Sequence, residues 1–155
     1  MSIIIERLDA GSDHARVMIE ALDTYLLALY PPESNHLDSI DELSREHVIF
    51  LGAFEGDRPV GCGAIKLLGD YAEIKRIFID PDHRGKGVGR QVLSELERAA
   101  QGAAFDTIRL ETGDRQPEAL RLFENSGYRR TGCYGDYPDD PLSVFMEKTL
   151  PRRDT

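Results

Sequence analysis

Residues 72–101 read AEIKRIFIDPDHRGKGVGRQVLSELERAAQ, and the order of elements in this stretch decides the fold. The segment Ala72–Ile79 alternates between apolar and polar residues and is rich in isoleucine, and this pattern predicts a strand. Pro81 ends this strand because proline has no N–H to donate to a strand ladder. Apolar residues then recur at helical spacing and predict a helix over Gly87–Gln101.

The turn between this strand and this helix, Arg84–Gly89, has the chemistry of an anion-binding site. The first N–H groups of a helix have no acceptor inside the helix, and the helix dipole adds partial positive charge at the same place. The P-loop pattern GxxxxGK[ST] is absent, and the dinucleotide pattern GxGxxG fails because Arg90 stands where its third glycine belongs. The pattern that fits is Arg-x-x-Gly-x-Gly, formed by Arg84, Gly87 and Gly89.

Hydrophobic periodicity and turn residues predict the elements on either side of this stretch. Pro31 and Pro32 end a first amphipathic helix at Tyr30, and Gly61 and Gly63 mark places in a strand where another backbone can come close. The helix between the fourth and fifth strands makes these two strands a parallel pair. The predicted strands cover residues 3–8, 48–55, 60–68, 72–79, 107–112, 128 onward and 143–150, and the predicted helices cover 12–30, 37–43, 87–101 and 116–126.

The Arg-x-x-Gly-x-Gly turn after a strand resembles the acetyl-coenzyme A (acetyl-CoA) pyrophosphate loop of the GNAT N-acetyltransferases. The predicted order of elements, β1-α1-α2-β2-β3-β4-α3-β5-α4-β6-β7, is also that of the GNAT fold. The resemblance implies an α/β fold with a central mixed seven-stranded sheet, strands 4 and 5 splayed apart, and about four helices. It further implies that residues 1–155 form one GNAT domain that uses acetyl-CoA as co-substrate.

By this resemblance, the cofactor contacts come from three parts of the chain. Backbone groups of Ile77, Phe78 and Ile79 would hydrogen-bond the pantetheine arm as an added strand does. Gln116 stands where the family often has an asparagine that contacts the cofactor, and Phe123 holds the place of a tyrosine in the family motif LYxxxGF. Glycine at positions 87 and 89 would leave room for the phosphate oxygens. The pyrophosphate would lie on the N–H groups of Arg84, Gly85, Lys86, Gly87, Val88 and Gly89, with Arg90 within reach of a phosphate.

The implied reaction transfers an acetyl group from a thioester to an amine, which must first lose a proton because its pKa is about 10.4. Glu73, eleven residues before the arginine of the turn, matches the glutamate base of histone-type GNAT members. The alternative is that Glu73 only pairs with Lys75 or with an arginine across the sheet. Phe123 has no proton to give to the departing thiolate, so Tyr134 or Tyr137 supplies it, or the thiolate leaves unaided.

The acceptor is expected to be a primary amine of a small molecule or peptide, held by two polar loops, residues 30–36 and 132–142. Acids and aromatic rings suit a cation, although the same loops are also typical of ordinary solvated connectors. Two other functions stay open: a non-catalytic acyl-CoA sensor or interaction module on the same fold, and a protein that uses the turn for ATP or NAD. The expected acceptor-site residues are Tyr30, Glu33, Ser34, His36 and Tyr137.

Composition and charge narrow the partners further. The net charge of −9 argues against a nucleic-acid binder, which needs a basic face, and fits either a cationic substrate or simple solubility. No apolar run approaches the roughly 20 residues of a membrane span, and the N-terminus is too short and too acidic for a signal peptide, so we expect a cytoplasmic protein. Cys62 and Cys133 are expected to be free thiols, and the histidine spacing predicts no metal site. Homodimers are common in the family, and the sequence does not decide whether this chain forms one.

Overall fold

A computed structural model describes residues 2–29, 40–135 and 137–151 of the chain. The predicted strands and helices are all present in this part of the chain, with bounds that differ by no more than two residues wherever both ends are described. The short second helix is described only from Ile40 onward. The strands are β1 (Ile3–Arg7), β2 (Val48–Glu55), β3 (Arg58–Leu67), β4 (Ala72–Ile79), β5 (Thr107–Gly113), β6 (Arg129–Thr131) and β7 (Ser143–Thr149), and the helices are α1 (Asp13–Leu29), α2 (Ile40–Leu43), α3 (Val88–Gly102) and α4 (Pro117–Asn125).

The strands form one mixed seven-stranded sheet in the order β1-β2-β3-β4-β5-β7-β6. The β4–β5 pair, which α3 connects, is parallel, and the other neighbouring pairs are antiparallel. The parallel pair holds only from Ala72↔Ile108 to Ile74↔Leu110. Beyond that point the two strands diverge, which confirms the predicted splay and leaves the edge of residues 75–79 of β4 without a neighbouring strand in the described part of the chain.

The sheet has a hydrophobic core on each face. On one face α3 packs through Val92 and Leu96 against β2, β3 and β4, and on the other α1 packs through Met18 and Ile19 against β3 and β4. Each fully buried side chain of this kind stabilises the fold by about 1.5–3 kcal/mol. None of the described helices is long and apolar enough to cross a membrane.

Gly63 lets α3 come close to the sheet, as the sequence predicts. A Cβ atom there would lie 2.7 Å from Cδ1 of Ile77 and 3.0 Å from side-chain atoms of Val92 and Leu96. Such distances are too short for real side chains, so any larger residue would push α3 away from β3. Because α3 begins at the predicted anion site, this glycine also helps to fix where that site lies.

A bulge in β4 reverses which side chains face each core. Cys62 of β3 pairs with Phe78 and Ala64 pairs with Lys75, so that Arg76 and Ile77 together lie opposite a single residue of β3. Arg76 has a positive φ of 60°. Side chains alternate along a regular strand, but here Ile74 and Ile77 both lie in the α3 core, whereas Phe78 packs on the α1 side. The extra residue therefore turns Ile77 toward α3.

Candidate active site

A cleft of about 410 Å³ lies where β4 ends and α3 begins. The end of β4, the glycine-rich turn, the first turn of α3 and one face of α4 form its walls. Ten of the twelve residues predicted to contact the cofactor line it. The lining residues are Leu22, Ile77, Phe78, Ile79, His83, Arg84, Gly85, Gly87, Val88, Gly89, Arg90, Gln116, Glu118, Ala119, Leu122 and Asn125.

The glycine-rich turn presents a row of backbone donors to this cleft. Gly85 and Gly87 have φ values of +78° and +83°, in the left-handed region that favours glycine. Gly87 caps α3 without a side-chain hydrogen bond. In the described part of the chain, no group accepts a hydrogen bond from the backbone N–H groups between Gly85 and Arg90. The positive end of the α3 dipole adds to these donors, so the turn is suited to bind an anion such as a diphosphate.

Gly87 and Gly89, at the start of α3, are suited to glycine for different physical reasons. Nothing lies within 4 Å of a Cβ built on Gly87, so the residue is glycine because of its left-handed backbone. A Cβ on Gly89 would lie 2.9 Å from Cδ2 of Leu122. That Gly89 makes room for phosphate oxygens stays a prediction; its lack of a Cβ also lets α4 contact α3.

The remaining two predicted cofactor residues, Lys86 and Phe123, do not line the cleft. Lys86 is exposed on the turn, whereas Phe123 is 4% exposed and packs edge-to-face on Tyr128 with the ring centroids 5.9 Å apart. Tyr128 is buried as well, and its hydroxyl donates to Oε2 of Glu97 at 2.8 Å. Phe123 thus lies in the core and not in the lining of the cleft.

Several lining residues were not predicted. Glu118, Ala119, Leu122 and Asn125 form one face of α4 at helical spacing, and this periodicity could have indicated them. His83 is buried beside the turn, with Nε2 3.6 Å from Glu55 and Nδ1 3.6 Å from Asp80. Leu22 reaches the cleft from α1, and only the three-dimensional packing brings it there.

Glu73, the predicted base, lies on β4 inside a cluster of aromatic side chains. It is only 4% exposed, and its Oε2 accepts hydrogen bonds from the hydroxyls of Tyr134 at 2.8 Å and Tyr137 at 2.6 Å. Lys75 donates through Nζ to the same Tyr137 hydroxyl. The predicted partnership of Glu73 with Lys75 therefore runs through a tyrosine, and three predicted site residues, Glu73, Tyr134 and Tyr137, meet at one carboxylate oxygen.

The environment of Tyr134 keeps its hydroxyl protonated. Its ring contacts those of Tyr71, Tyr137 and Phe145 edge-on, with centroids 5.4–5.5 Å apart. Burial, and then the negative charge of Glu73, raise the pKa of Tyr134 well above its ordinary value of 10.0. At any physiological pH this hydroxyl is thus a hydrogen-bond donor to the carboxylate.

The remaining predictions concern the acceptor site, the two cysteines and metal ligands. Tyr30, Glu33, Ser34 and His36 lie outside the described residues. Cys62 and Cys133 are free thiols, one buried and one exposed, and burial raises the pKa of Cys62 to about 12. Within the described ranges no three His, Cys, Asp or Glu side chains cluster as metal ligands would.

A second cleft, of about 470 Å³, lies on the other side of the start of α3. Ile3 and Ile5 of β1 form one wall, and Gln91 and Ser94 of α3 belong to the other. Gly87 borders both clefts, so the donors of the turn lie between them.

Known proteins share both the sequence pattern and the fold. Residues 16–128 match the sequence profile of the acetyltransferase (GNAT) family. This chain belongs to the GNAT acetyltransferase family. A protein of Azospirillum brasilense named IAA acetyltransferase is 40% identical over 151 residues, which cover 96% of this chain and 99% of that protein.

Solved structures of GNAT proteins superpose on the whole fold. A Klebsiella pneumoniae protein described as an acyl-CoA N-acyltransferase is 34% identical, with a TM-score of 0.81. The superposition covers 96% of this chain and 97% of the Klebsiella chain. The PaiA N-acetyltransferase of Thermoplasma acidophilum, solved in complex with coenzyme A, is 20% identical and has a TM-score of 0.73 over 97% of this chain and 100% of its own. At that identity the likeness concerns the fold.

Membership of the GNAT family decides between the functions that the sequence left open. The chain is an acetyl-CoA-dependent N-acetyltransferase, with acetyl-CoA as co-substrate. This excludes the interpretation of the glycine-rich turn as an ATP or NAD site and favours catalysis over a purely sensory role. The residues present fit the co-substrate, because the turn offers free donors to a diphosphate and β4 has an open edge beside it.

Proposed function

We propose that this GNAT enzyme acetylates a primary amine of a small molecule or peptide by direct attack on the thioester, with Glu73 as the general base. The observation that carries this proposal is where the β4–β5 pair ends. Its last pairing is Ile74↔Leu110, so the open edge of β4 starts next to Glu73 and ends at the glycine-rich turn. An anion site and a buried carboxylate thus lie at opposite ends of one unpaired strand edge.

The cofactor follows that edge in the proposed arrangement. Its diphosphate accepts hydrogen bonds from the N–H groups between Gly85 and Arg90. Its extended arm pairs with the free backbone groups of residues 75–79, as an added strand does. At about 3.3 Å per residue, the edge from Ile79 back to Ile74 is roughly 16 Å long. The thioester therefore comes to lie near Ile74, one residue from Glu73.

The carboxylate of Glu73 can remove the proton that keeps the amine from attacking. An alkylammonium with a pKa of about 10.4 is protonated at neutral pH and must lose one proton before its nitrogen bonds to the thioester carbon. Glu73 takes that proton, directly or through a bound water. As the C–S bond breaks, the nitrogen loses its second proton and the amide forms. The products are the acetylated amine, the free thiol and one proton released to solvent.

The departing thiolate does not need a proton from Tyr134. A coenzyme thiol has a pKa near 8.5, so its thiolate is a tolerable leaving group on its own. Because the pKa of Tyr134 is raised, its hydroxyl is a weaker acid than the thiol it would have to protonate. This favours the route in which the thiolate leaves unaided over the alternative in which Tyr134 is the general acid. In that route Tyr134 and Tyr137 orient Glu73 by donating hydrogen bonds to it.

The test is amine-dependent release of coenzyme A, followed with a thiol-detecting dye across a panel of primary amines. We expect Glu73→Gln to lower kcat by about 10²–10⁴-fold, the usual contribution of a general base, while acetyl-CoA still binds. Glu124→Gln is the matched control, because it makes the same chemical change at an exposed position of α4. A Glu73→Gln enzyme with the wild-type rate would place the base elsewhere.

A further inference from the structure

The backbone of Arg76 is unusual for a residue that carries a side chain. Its φ of 60° lies in the left-handed region, which a Cβ atom disfavours, and Ala104 is the other described non-glycine residue with a positive φ. Such conformations persist where surrounding contacts determine them, and they concentrate at functional sites. Arg76 is the extra residue of the β4 bulge, directly before the cleft-lining residues Ile77 and Phe78.

Contacts from α1 and from β3 hold Arg76 in this conformation. The side chain is 4% exposed, and its Nη1 donates to Oδ1 of Asp23 on α1. Its carbonyl oxygen accepts from the buried thiol of Cys62 on β3 at 3.4 Å. A buried guanidinium is costly without a partner, so the Asp23 carboxylate keeps Arg76 pointing toward α1.

The bulge determines how β4 presents its edge to the cofactor. Pairing with β5 stops at Ile74, two residues before Arg76, and Ile77 enters the α3 core only because the bulge shifts the alternation. A regular strand here would turn Ile77 and Ile79 to the α1 side and change the lining of the cleft. Leu22, the residue before Asp23, lines the same cleft.

We propose that Asp23 is a positioning residue for acetyl-CoA: by pairing with Arg76, it fixes the left-handed backbone that opens the edge of β4. The Asp23–Arg76 ion pair thereby couples α1 to the cofactor site. This role concerns cofactor binding and does not depend on which residue is the base.

The decisive comparison is Arg76→Gly against Arg76→Ala, because both remove the side chain and only alanine disfavours the left-handed backbone. Coenzyme A is titrated into each variant by calorimetry, with no amine present, so that a failure of the proposed base or acceptor cannot affect the result. We expect the glycine variant to bind coenzyme A at least fivefold more tightly than the alanine variant. Equal affinities would overturn the proposal.

The role of Asp23 is tested by rescue. Asp23→Ala removes the Asp23 carboxylate from the buried Arg76 guanidinium, and we expect the Kd for coenzyme A to rise at least fivefold. The double variant Asp23→Ala/Arg76→Gly should recover at least that factor, because glycine needs no tether to remain left-handed. A residue that serves only general stability would show a lower Tm in both variants and no recovery of binding. Wild-type affinity in Asp23→Ala, or no recovery in the double variant, contradicts the proposal.

Discussion

Replacing Gly87 by glutamate tests the cofactor site through a residue whose surroundings are well defined. Gly87 has a φ of +83°, and no atom lies within 4 Å of a Cβ built on it. A new side chain there meets no clash, so the effect on the fold comes from the backbone alone. A left-handed non-glycine residue costs about 1–2 kcal/mol. For a chain of this size, the expected loss in Tm is about 2–8 °C.

The effect on binding should be much larger than the effect on stability. Gly87 borders the cleft, and a carboxylate about 4 Å from the diphosphate would repel it by about 4 kcal/mol at an effective dielectric constant near 20. That energy corresponds to a loss of affinity on the order of 10²–10³-fold. Calorimetric titration with acetyl-CoA measures this loss directly, and Gly87→Ala separates it from the backbone strain.

Gly102→Glu is the matched control for Gly87→Glu. It adds the same charge at the opposite end of α3, in an exposed position where a Cβ also meets no atom within 4 Å. Binding by this control should stay within about threefold of wild type, because screening by salt weakens charges more than about 10 Å apart. If Gly87→Glu retained wild-type affinity, or if Gly102→Glu lost as much, the assignment of the anion site would be refuted.

Three further changes test other parts of the structure. Tyr134→Phe removes a hydrogen bond to the buried carboxylate of Glu73 and should lower the free energy of unfolding by about 1.5–3 kcal/mol in a urea titration; an unchanged value would show that the bond contributes nothing. Phe123→Tyr restores the family's hydroxyl but places it in the core, so we expect a loss of stability of about 1–3 kcal/mol and no gain in kcat, whereas a faster enzyme would show that the hydroxyl reaches the thiolate. Burial raises the pKa of Cys62 from 9.0 to about 12. The contribution of the protonated thiol to the free energy of unfolding is therefore fully present below pH 9 and is lost as the pH rises from 9 to 12. Relative to Cys62→Ala, wild type should lose about 1.4 kcal/mol per pH unit in that window, and parallel stability profiles would contradict this.

Local patterns in the sequence are enough to place the strands and the glycine-rich turn. Both ends of β4 match the predicted bounds, because the isoleucine-rich alternation starts and stops sharply there. The splay of β4 and β5 was also correct, but it came from the family resemblance. That Gly87 leaves room for phosphate oxygens stays a prediction, whereas its left-handed backbone at the start of α3 is seen only in the structure.

Contacts between distant parts of the chain could not be predicted in the same way. The Tyr134 hydroxyl reaches Glu73 across 61 residues, and no periodicity links a turn-rich loop to a strand so far away. The motifs predict that Gly89 and Phe123 contact the cofactor, but they do not show the contact of α4 with α3 at Gly89 or the burial of Phe123 in the core. The pairing of Asp23 with Arg76 likewise depends on how α1 lies on the sheet.

The most direct measurement is a crystal structure of the complex with acetyl-CoA. We expect diphosphate oxygens within hydrogen-bond distance of the N–H groups between Gly85 and Arg90, and an arm paired with residues 75–79 of β4. We also expect the thioester beside Ile74, within reach of Glu73 or of a water that Glu73 holds. A diphosphate bound instead in the second cleft, against Ile5 and Ser94, would contradict these expectations.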